Sequence, residues 1–350
     1  MIIYGLGSNG SGQLGIGHHD DVSSPTPLIL PQSLKDDEIV NIASGGNHTL
    51  FLSKSGSVYS TGDNEDGRCA LDPSIPQTTT AQPVRLSPPS SKVLHCTSTW
   101  SGSIFATDDG LLVSCGSGSK GELGLGPNRV AAPAPELITD LASIHCQVVH
   151  MDASMAHVVV VLSDGSVFVW GNGKNGQIGD AAEVVWSPRR LVVPFAVVRV
   201  ACGKDFTCLL SDPARGEIML MGPNKRDRFD IKTSIPKRLD DWDHVAATWG
   251  SIFAKDKAGA IRAWGRNDRG QLGPADIEIL SKIAAGSEHV LAQTAKGQVI
   301  VWGWGEHGNC GMPVDEQKDV KGRFNVLDIP GHVLTIGAGC ATSFIVSEGS

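Results

Sequence analysis

This chain is short of aromatic residues, which fill 5% of its 350 positions, and short of clustered positive charge. No Lys/Arg-rich run occurs, and the formal net charge is −8. Wrapping of nucleic acid by phosphate neutralisation is therefore excluded, because that binding needs clustered cations. No stretch approaches 18 uninterrupted apolar residues, so no membrane-spanning helix is expected. The opening MIIYGLGSNGSGQ lacks the charged start and long apolar run of a secretory signal. Eight cysteines occur, but none forms a CxxC pair, and most sit in apolar runs such as VACGKDFTCLL. Buried thiols in a reducing intracellular compartment are expected, with no metal site built by this chain. Neither GxSxG nor GK[ST] is found, so neither a nucleophile elbow nor a phosphate loop is expected. A convincing 3.6-residue helical period is also missing.

Glycine, by contrast, is abundant: 42 residues where composition averages give roughly 25. Without a collagen-like period, so many glycines mean many tight turns. They fall into one motif, G-x-[NG]-x-x-G-[QE]-[LI]-G, written as GSNGSGQLG (7–15), GSGSKGELG (116–124), GNGKNGQIG (171–179) and GRNDRGQLG (265–273). Looser copies are GDNEDGRCA (62–70), GPNKRDRFD (222–230) and GWGEHGNCG (303–311). A second phrase recurs between them, as in IASGGNHTLFLSKSG and IAAGSEHVLAQTAKG, followed by short alternating segments such as SVFVWG. Runs of four to six apolar residues bounded by SDG, KSG or KAG read as strand–turn–strand.

Seven strand-built units of this size predict an all-β, seven-bladed β-propeller forming one domain over residues 1–350. The chain ends on the first half of a unit, IGAGCATSFIVSEG, and begins on the second half, IIYGLGSNGSGQLG. Residues 1–15 are thus expected to complete the blade formed by 333–350, which removes two open sheet edges. Pro/Ser/Thr-rich stretches such as DPSIPQTTTAQPVRLSPPSS read as exposed connections between blades.

The G-x-N-x-x-G-Q-L-G and GG-x-H-T phrases resemble the signature of the regulator-of-chromosome-condensation-like β-propellers, over the whole chain. GSNGSGQLG, GGNH, GKDF, GSEH, WGWGEHGNCG and GCATSFIV are most similar to a fungal branch of that family, the alpha-tubulin suppressors also named for killer-toxin insensitivity. The resemblance implies a propeller without catalysis of its own. It also implies a heterodimer with a small CSL-type zinc-binding protein that carries the metal and donates electrons. The pair would support Elongator-dependent modification of the tRNA wobble uridine and diphthamide synthesis on elongation factor 2, in the cytoplasm and the nucleus. Elongator and the diphthamide enzymes would be indirect partners, and no cofactor would belong to the propeller itself. The alternative that the family offers is nucleotide exchange on a Ran-type small GTPase.

Individual residues sort against the repeat. His48, His157 and His289 share one recurrent position, with Asp205–Phe206, Trp100–Ser101, Trp249–Gly250 and Ala341–Thr342 at or beside it in other units. Recurrence favours a structural bond to the backbone of the same or the next blade. Glu288–His289 and Glu306–His307 look like acid–base pairs, but neighbours on a strand point to opposite faces unless the backbone turns. Cys310 stands where better copies carry Leu or Ile, which reads as packing; a reactive thiol would want an electropositive, partly exposed setting. Trp170, Trp264 and Trp302 share the WG position and read as framework. Trp100, Trp249 and Trp304 instead replace smaller or polar residues, so they are either channel plugs or interface anchors. The partner-binding surface expected from these patterns comprises Trp249, Glu288, His289, Trp304, Glu306 and His307, with Asp205 and Phe206 nearby. No catalytic residue is assigned.

Overall fold

The computed structural model describes residues 1–86, 91–139, 146–223 and 227–349. Positions 224–226 of the fifth motif copy lie outside the described residues. Blade 1 consists of Ile39–Ser44, His48–Ser53, Val58–Asp63 and Gln77–Pro83, hydrogen-bonded antiparallel in that order from the centre outward. Blades 2 to 6 follow as residues 93–137, 148–191, 199–221, 242–265 and 280–327. Blade 7 joins Val333–Ala338 and Thr342–Ser347 to Ile2–Gly7 and Val22–Pro27, with Ile2–Gly7 paired to Thr342–Ser347. First strands of successive blades touch one another in a closed cycle, blade 7 to blade 1 included. The expected closure by both chain ends is what the sheet pairing shows.

Burial explains why each strand reads as it does. Second strands lie between neighbouring sheets and are buried along their length, so His157–Leu162 runs HVVVVL and Thr342–Ser347 runs TSFIVS. Continuous apolar runs are what two covered faces require. At the closing interface Phe51 meets Phe344 edge-to-face, with ring centroids 5.4 Å apart. Blades 4 and 5 have only three strands, which accounts for the shorter spacing of the last motif copies. Among the described residues there are also two single-turn helices, Gln32–Lys35 and Ile231–Ser234, too short for any helical period to register.

The first glycine of every motif copy has φ between 63° and 116°. A Cβ there would stand 2.2–2.6 Å from a carbonyl oxygen of the adjoining turn, such as Asn47 O at Gly62 or Ala156 O at Gly171. No other residue fits that approach. The loop that follows then folds onto the next blade. Trp170 Nε1 donates to Glu122 O at 2.8 Å, and Trp302 Nε1 to Gln271 O at 2.8 Å, each reaching back to the preceding blade's motif.

The recurrent histidines fasten blades in a related way, through a side-chain hydroxyl of the next blade where the sequence suggested a backbone bond. His48 Nε2 lies 2.9 Å from Ser103 Oγ, His157 Nε2 3.0 Å from Thr207 Oγ1, and His289 Nε2 3.0 Å from Ser343 Oγ. Ser103 and Ser343 give their protons to Arg68 O and Asn309 O, so each hydroxyl accepts from the imidazole N–H. That fixes the proton on Nε2 and leaves a buried Nδ1 without a partner. Protonating Nδ1 would place a charge in an apolar interior, and burial holds His48 down at about 3 and His157 and His289 at about 4.

Two outcomes follow from this architecture. Deleting residues 1–15 should give an aggregating or unstable protein, and a soluble truncation with an unchanged melting temperature would contradict ring closure. Because these histidines titrate lower in the folded than in the unfolded chain, only the unfolded chain takes up their protons as pH falls below about 6.5. Their support is complete above that pH and drains away down to pH 4 or below. His157→Gln should flatten the dependence of unfolding free energy on pH between 5.5 and 4.5 by about 1.4 kcal/mol per unit, measured by urea denaturation.

Candidate functional site

Strands alternate in direction, so the turn after the first strand and the motif loop after the third emerge on the same side of every blade. All eight residues singled out in the sequence occupy this one face, across blades 4, 5 and 6. They divide sharply by what their side chains do.

Three are committed to the framework. His289 is fully buried and bonded to Ser343, as described above. Phe206 fills the same slot in blade 4, buried against Gly203, where a Cβ would come within 2.1 Å of its ring. Glu288 is buried in an ion pair with Arg266 and accepts from Gln271 Nε2 at 2.8 Å. Burial raises its pKa against the pull of those two partners. These three present little surface to a partner. Asp205, half-buried, accepts from Asn175 Nδ2 at 2.7 Å. Both Glu–His pairs lie at turns, so strand alternation does not separate them. Instead Glu288 runs to Arg266 while His289 points into the blade interface.

Trp304, Glu306 and His307 join neighbours in an accessible band over blades 5, 6 and 7. Trp304 is half-exposed, with the Arg269 guanidinium 5.8 Å from its ring centroid and the His307 ring edge-on at 5.5 Å. Its Nε1 donates to Glu306 Oε2 at 3.2 Å, and Glu306 is exposed. His307 Nδ1 lies 2.8 Å from Asp21 Oδ2, which bridges blade 6 to the motif loop of blade 7. Arg266 also bonds Asp268 at 2.6 Å, and Arg269 reaches Asp319 at 3.2 Å. Sequence reasoning missed Arg266, Asp268 and Arg269. They occupy the variable positions of GRNDRGQLG, which a search for the repeat discards. Reading those positions as the part each blade is free to specialise would have found them.

Trp100 and Trp249 take a different place. Gly102 and Ser251, not Trp100–Ser101 and Trp249–Gly250, align with the histidine slot, since they pair with Gly116 and Gly265 as His48 pairs with Gly62. The tryptophans sit two residues earlier, at the turn tips. They come from blades 2 and 5, yet their rings meet over the central channel, centroids 6.0 Å apart. Lys204 Nζ stands 5.0 Å from the Trp249 ring. The tips are tied blade to blade by backbone bonds: Gly46 N to Trp100 O at 2.9 Å, Trp100 N to Met155 O at 3.0 Å, Trp249 N to Ser287 O at 2.8 Å. Channel plug, rather than rim anchor, describes this pair.

Cys310 is fully buried, with Sγ 3.3 Å from Trp304 O, and burial pushes its thiol well above the ordinary range. It does not have the exposed, electropositive surroundings of a reactive cysteine.

Residues 2–345 match the RCC1-like domain family. An RCC1 repeat-containing protein of Schizosaccharomyces pombe is 29% identical over 366 residues, covering 99% of each chain. The secretion-regulating guanine nucleotide exchange factor of Mus musculus is 28% identical over 410 residues, covering 99% of this chain and 84% of that one. Among solved structures, human WBSCR16 superposes with a TM-score of 0.82 at 18% identity, over 100% of both chains. Prp20p of Saccharomyces cerevisiae does so with a TM-score of 0.83 at 20% identity, over 99% of this chain and 92% of that one. At such identities the structural likeness speaks for the fold alone.

Thiol chemistry tests the assignment of Cys310. In native protein treated with iodoacetamide, Cys146 and Cys340, the two cysteines not fully buried, should label first and Cys310 should stay unmodified. Mass spectrometry that finds Cys310 alkylated first would restore it as a candidate nucleophile.

Proposed function

The chain belongs to the RCC1-like domain family, and from that premise we propose that it works as a non-catalytic, protein-binding propeller. Its partner in this reading is a small CSL-type zinc-binding protein that donates electrons. Together they serve Elongator-dependent modification of the tRNA wobble uridine and diphthamide synthesis on elongation factor 2. The resemblance of GKDF, GSEH, WGWGEHGNCG and GCATSFIV to the fungal branch of the family supports the choice of partner. The metal and the redox chemistry belong to that partner.

One observation carries the binding role: the accessible band of Trp304, Glu306 and His307, continued through Arg269 to Asp268. An aromatic ring flanked by both signs of charge, held by neighbours rather than loose, is the composition found at interface hot spots. The groups that suggested chemistry are occupied otherwise. His289 fastens two blades, Glu288 is paired with Arg266, and Cys310 packs in the core.

A second reading, guanine-nucleotide exchange on a Ran-type small GTPase, is favoured by one finding. The mouse relative that matches 99% of this chain is a guanine nucleotide exchange factor by name. Nucleotide release from such a GTPase, timed with and without the protein, separates the two readings.

For the first reading, the tagged chain purified from its cells should bring down a small cysteine-rich zinc protein. Trp304→Ala combined with Glu306→Ala should weaken that complex about 30-fold, as loss of a hot spot does, with an unchanged melting temperature. Undiminished co-purification of the double variant would remove the band from the interface.

A further inference from the structure

The central channel holds a cluster that the docking face does not use. In every blade but the fourth the first strand carries a bulge near its start, and the residue after it lines the channel at the level that Arg199 takes in blade 4. From blade 2 to blade 6 these residues are His95, His150, Arg199, His244 and Lys282. Five nitrogen bases on five consecutive blades thus form an arc around a cavity of about 840 Å³, in a chain whose overall charge is −8.

The arc is under-compensated. Arg199 Nη2 lies 3.3 Å from His244 Nδ1, a neutral partner, and its Nε is buried without any partner. Among the described residues no carboxylate stands within ion-pair distance of Arg199. Among the described residues two carboxylates line the channel, and both bond directly elsewhere: Asp243 pairs with Lys255, and Asp152 accepts from Cys202 N at 2.8 Å and Ala153 N at 2.9 Å. Lys282 Nζ reaches only the amide oxygen of Gln293, at 3.0 Å. Cations lining the channel therefore outnumber carboxylates, before any of the three imidazoles takes a proton. Arg199 feels Asp152 and Asp243 only at a distance, without a direct ion pair, so its unpartnered Nε and the Lys282 ammonium leave donors for an anion.

The cavity is also shaped for one. Trp100 and Trp249 close it on the docking face. At the other mouth the bulged residues of blades 1 to 3, Val40, Leu94 and Val149, and Val198 just before Arg199 in blade 4, are all exposed and form an apolar rim. Its size is that of pockets for small ligands. We propose that the channel is a binding site for a small phosphate-class anion, entered past the valine–leucine rim and held by Arg199 and Lys282, with His95, His150 and His244 as further donors. A free phosphate and the phosphoryl group of an organic ester share this chemistry, and the apolar rim would favour the ester.

Calorimetric titration of the full chain with inorganic phosphate and with phenyl phosphate, at matched ionic strength, tests the proposal. Saturable one-to-one binding is expected, weakened about tenfold by Arg199→Gln, the loss typical of a charge-assisted hydrogen bond. Lys282→Gln, two blades along the arc and less enclosed, should weaken it several-fold, and it serves if Arg199→Gln fails to fold. Tighter binding of phenyl phosphate identifies an organic phosphate as the ligand class, and equal binding identifies free phosphate; both support the site. Absence of saturable binding by the unmodified chain overturns it, as does binding left unchanged in whichever of the two variants folds.

Discussion

Every blade depends on one glycine whose Cα lies against the carbonyl of a neighbouring turn, at a φ that side chains rarely adopt. With no Cβ in the way, the third strand closes on the second and the motif loop is released over the next blade. There it becomes an acceptor, taking bonds from Trp170, Trp302, Ser103 and Ser343 of the following unit. Those bonds, with apolar contacts such as Phe51 on Phe344, set the angle between sheets. Repeated around the ring, they bring first strands into one closed cycle, which in turn aligns residues of different blades at one level of the channel. The histidine slot shows how local choices stay matched across interfaces. Where blades 1, 3 and 6 carry His48, His157 and His289, the next blade supplies Ser103, Thr207 or Ser343. Where blade 2 has Gly102 and blade 5 has Ser251, the facing residues are Val158 and Val290. A hydroxyl without its imidazole, or an imidazole without its hydroxyl, would leave a buried polar group unpaired.

Fold and closure were legible because both rest on period. Seven glycine motifs fix the number of blades, and half-units at the two ends fix which strands must pair. Cys310 was legible for the same reason, since a thiol in the Leu slot of other copies is core. What the period cannot carry is deviation from it. The three-stranded blades 4 and 5 lose a strand without losing a motif, so only spacing hinted at them. Because turn lengths differ by a residue or two between units, sequence alignment sets Trp100 and Trp249 at or beside the histidine slot. The strand pairing places them at the turn tips, where they meet across the channel. Partners that converge from blades three apart leave no mark in linear sequence. The same holds for the arc from His95 to Lys282, which the repeat presents as five unrelated residues at a variable position.

The two ends of the channel are chemically unlike. On the face that carries Trp304, aromatic rings and paired charges cover the centre, and the accessible groups are stabilised by one another: Arg269 by Trp304 and Asp319, His307 by Asp21. At the opposite mouth, apolar rim residues stand above a level of basic side chains whose compensation is incomplete. A propeller of this kind offers two separate surfaces, one broad and pre-paired, the other narrow and charged. The family frame constrains the blades and leaves both surfaces to residues that each unit is free to vary.

Blade 7 also orders events in time. Within the propeller its two outer strands are synthesised before the other six blades and its two inner strands after them. Until Thr342–Ser347 emerges, Ile2–Gly7 has an open edge and blade 1 lacks the neighbour that covers Phe51. Contacts between residues so far apart in sequence form slowly, because the intervening chain must be ordered before they repay its entropy. Synthesis rate and chaperone access therefore bear on this protein at the seam between its ends more than at any other interface, although in the finished ring that seam is sheet like the rest.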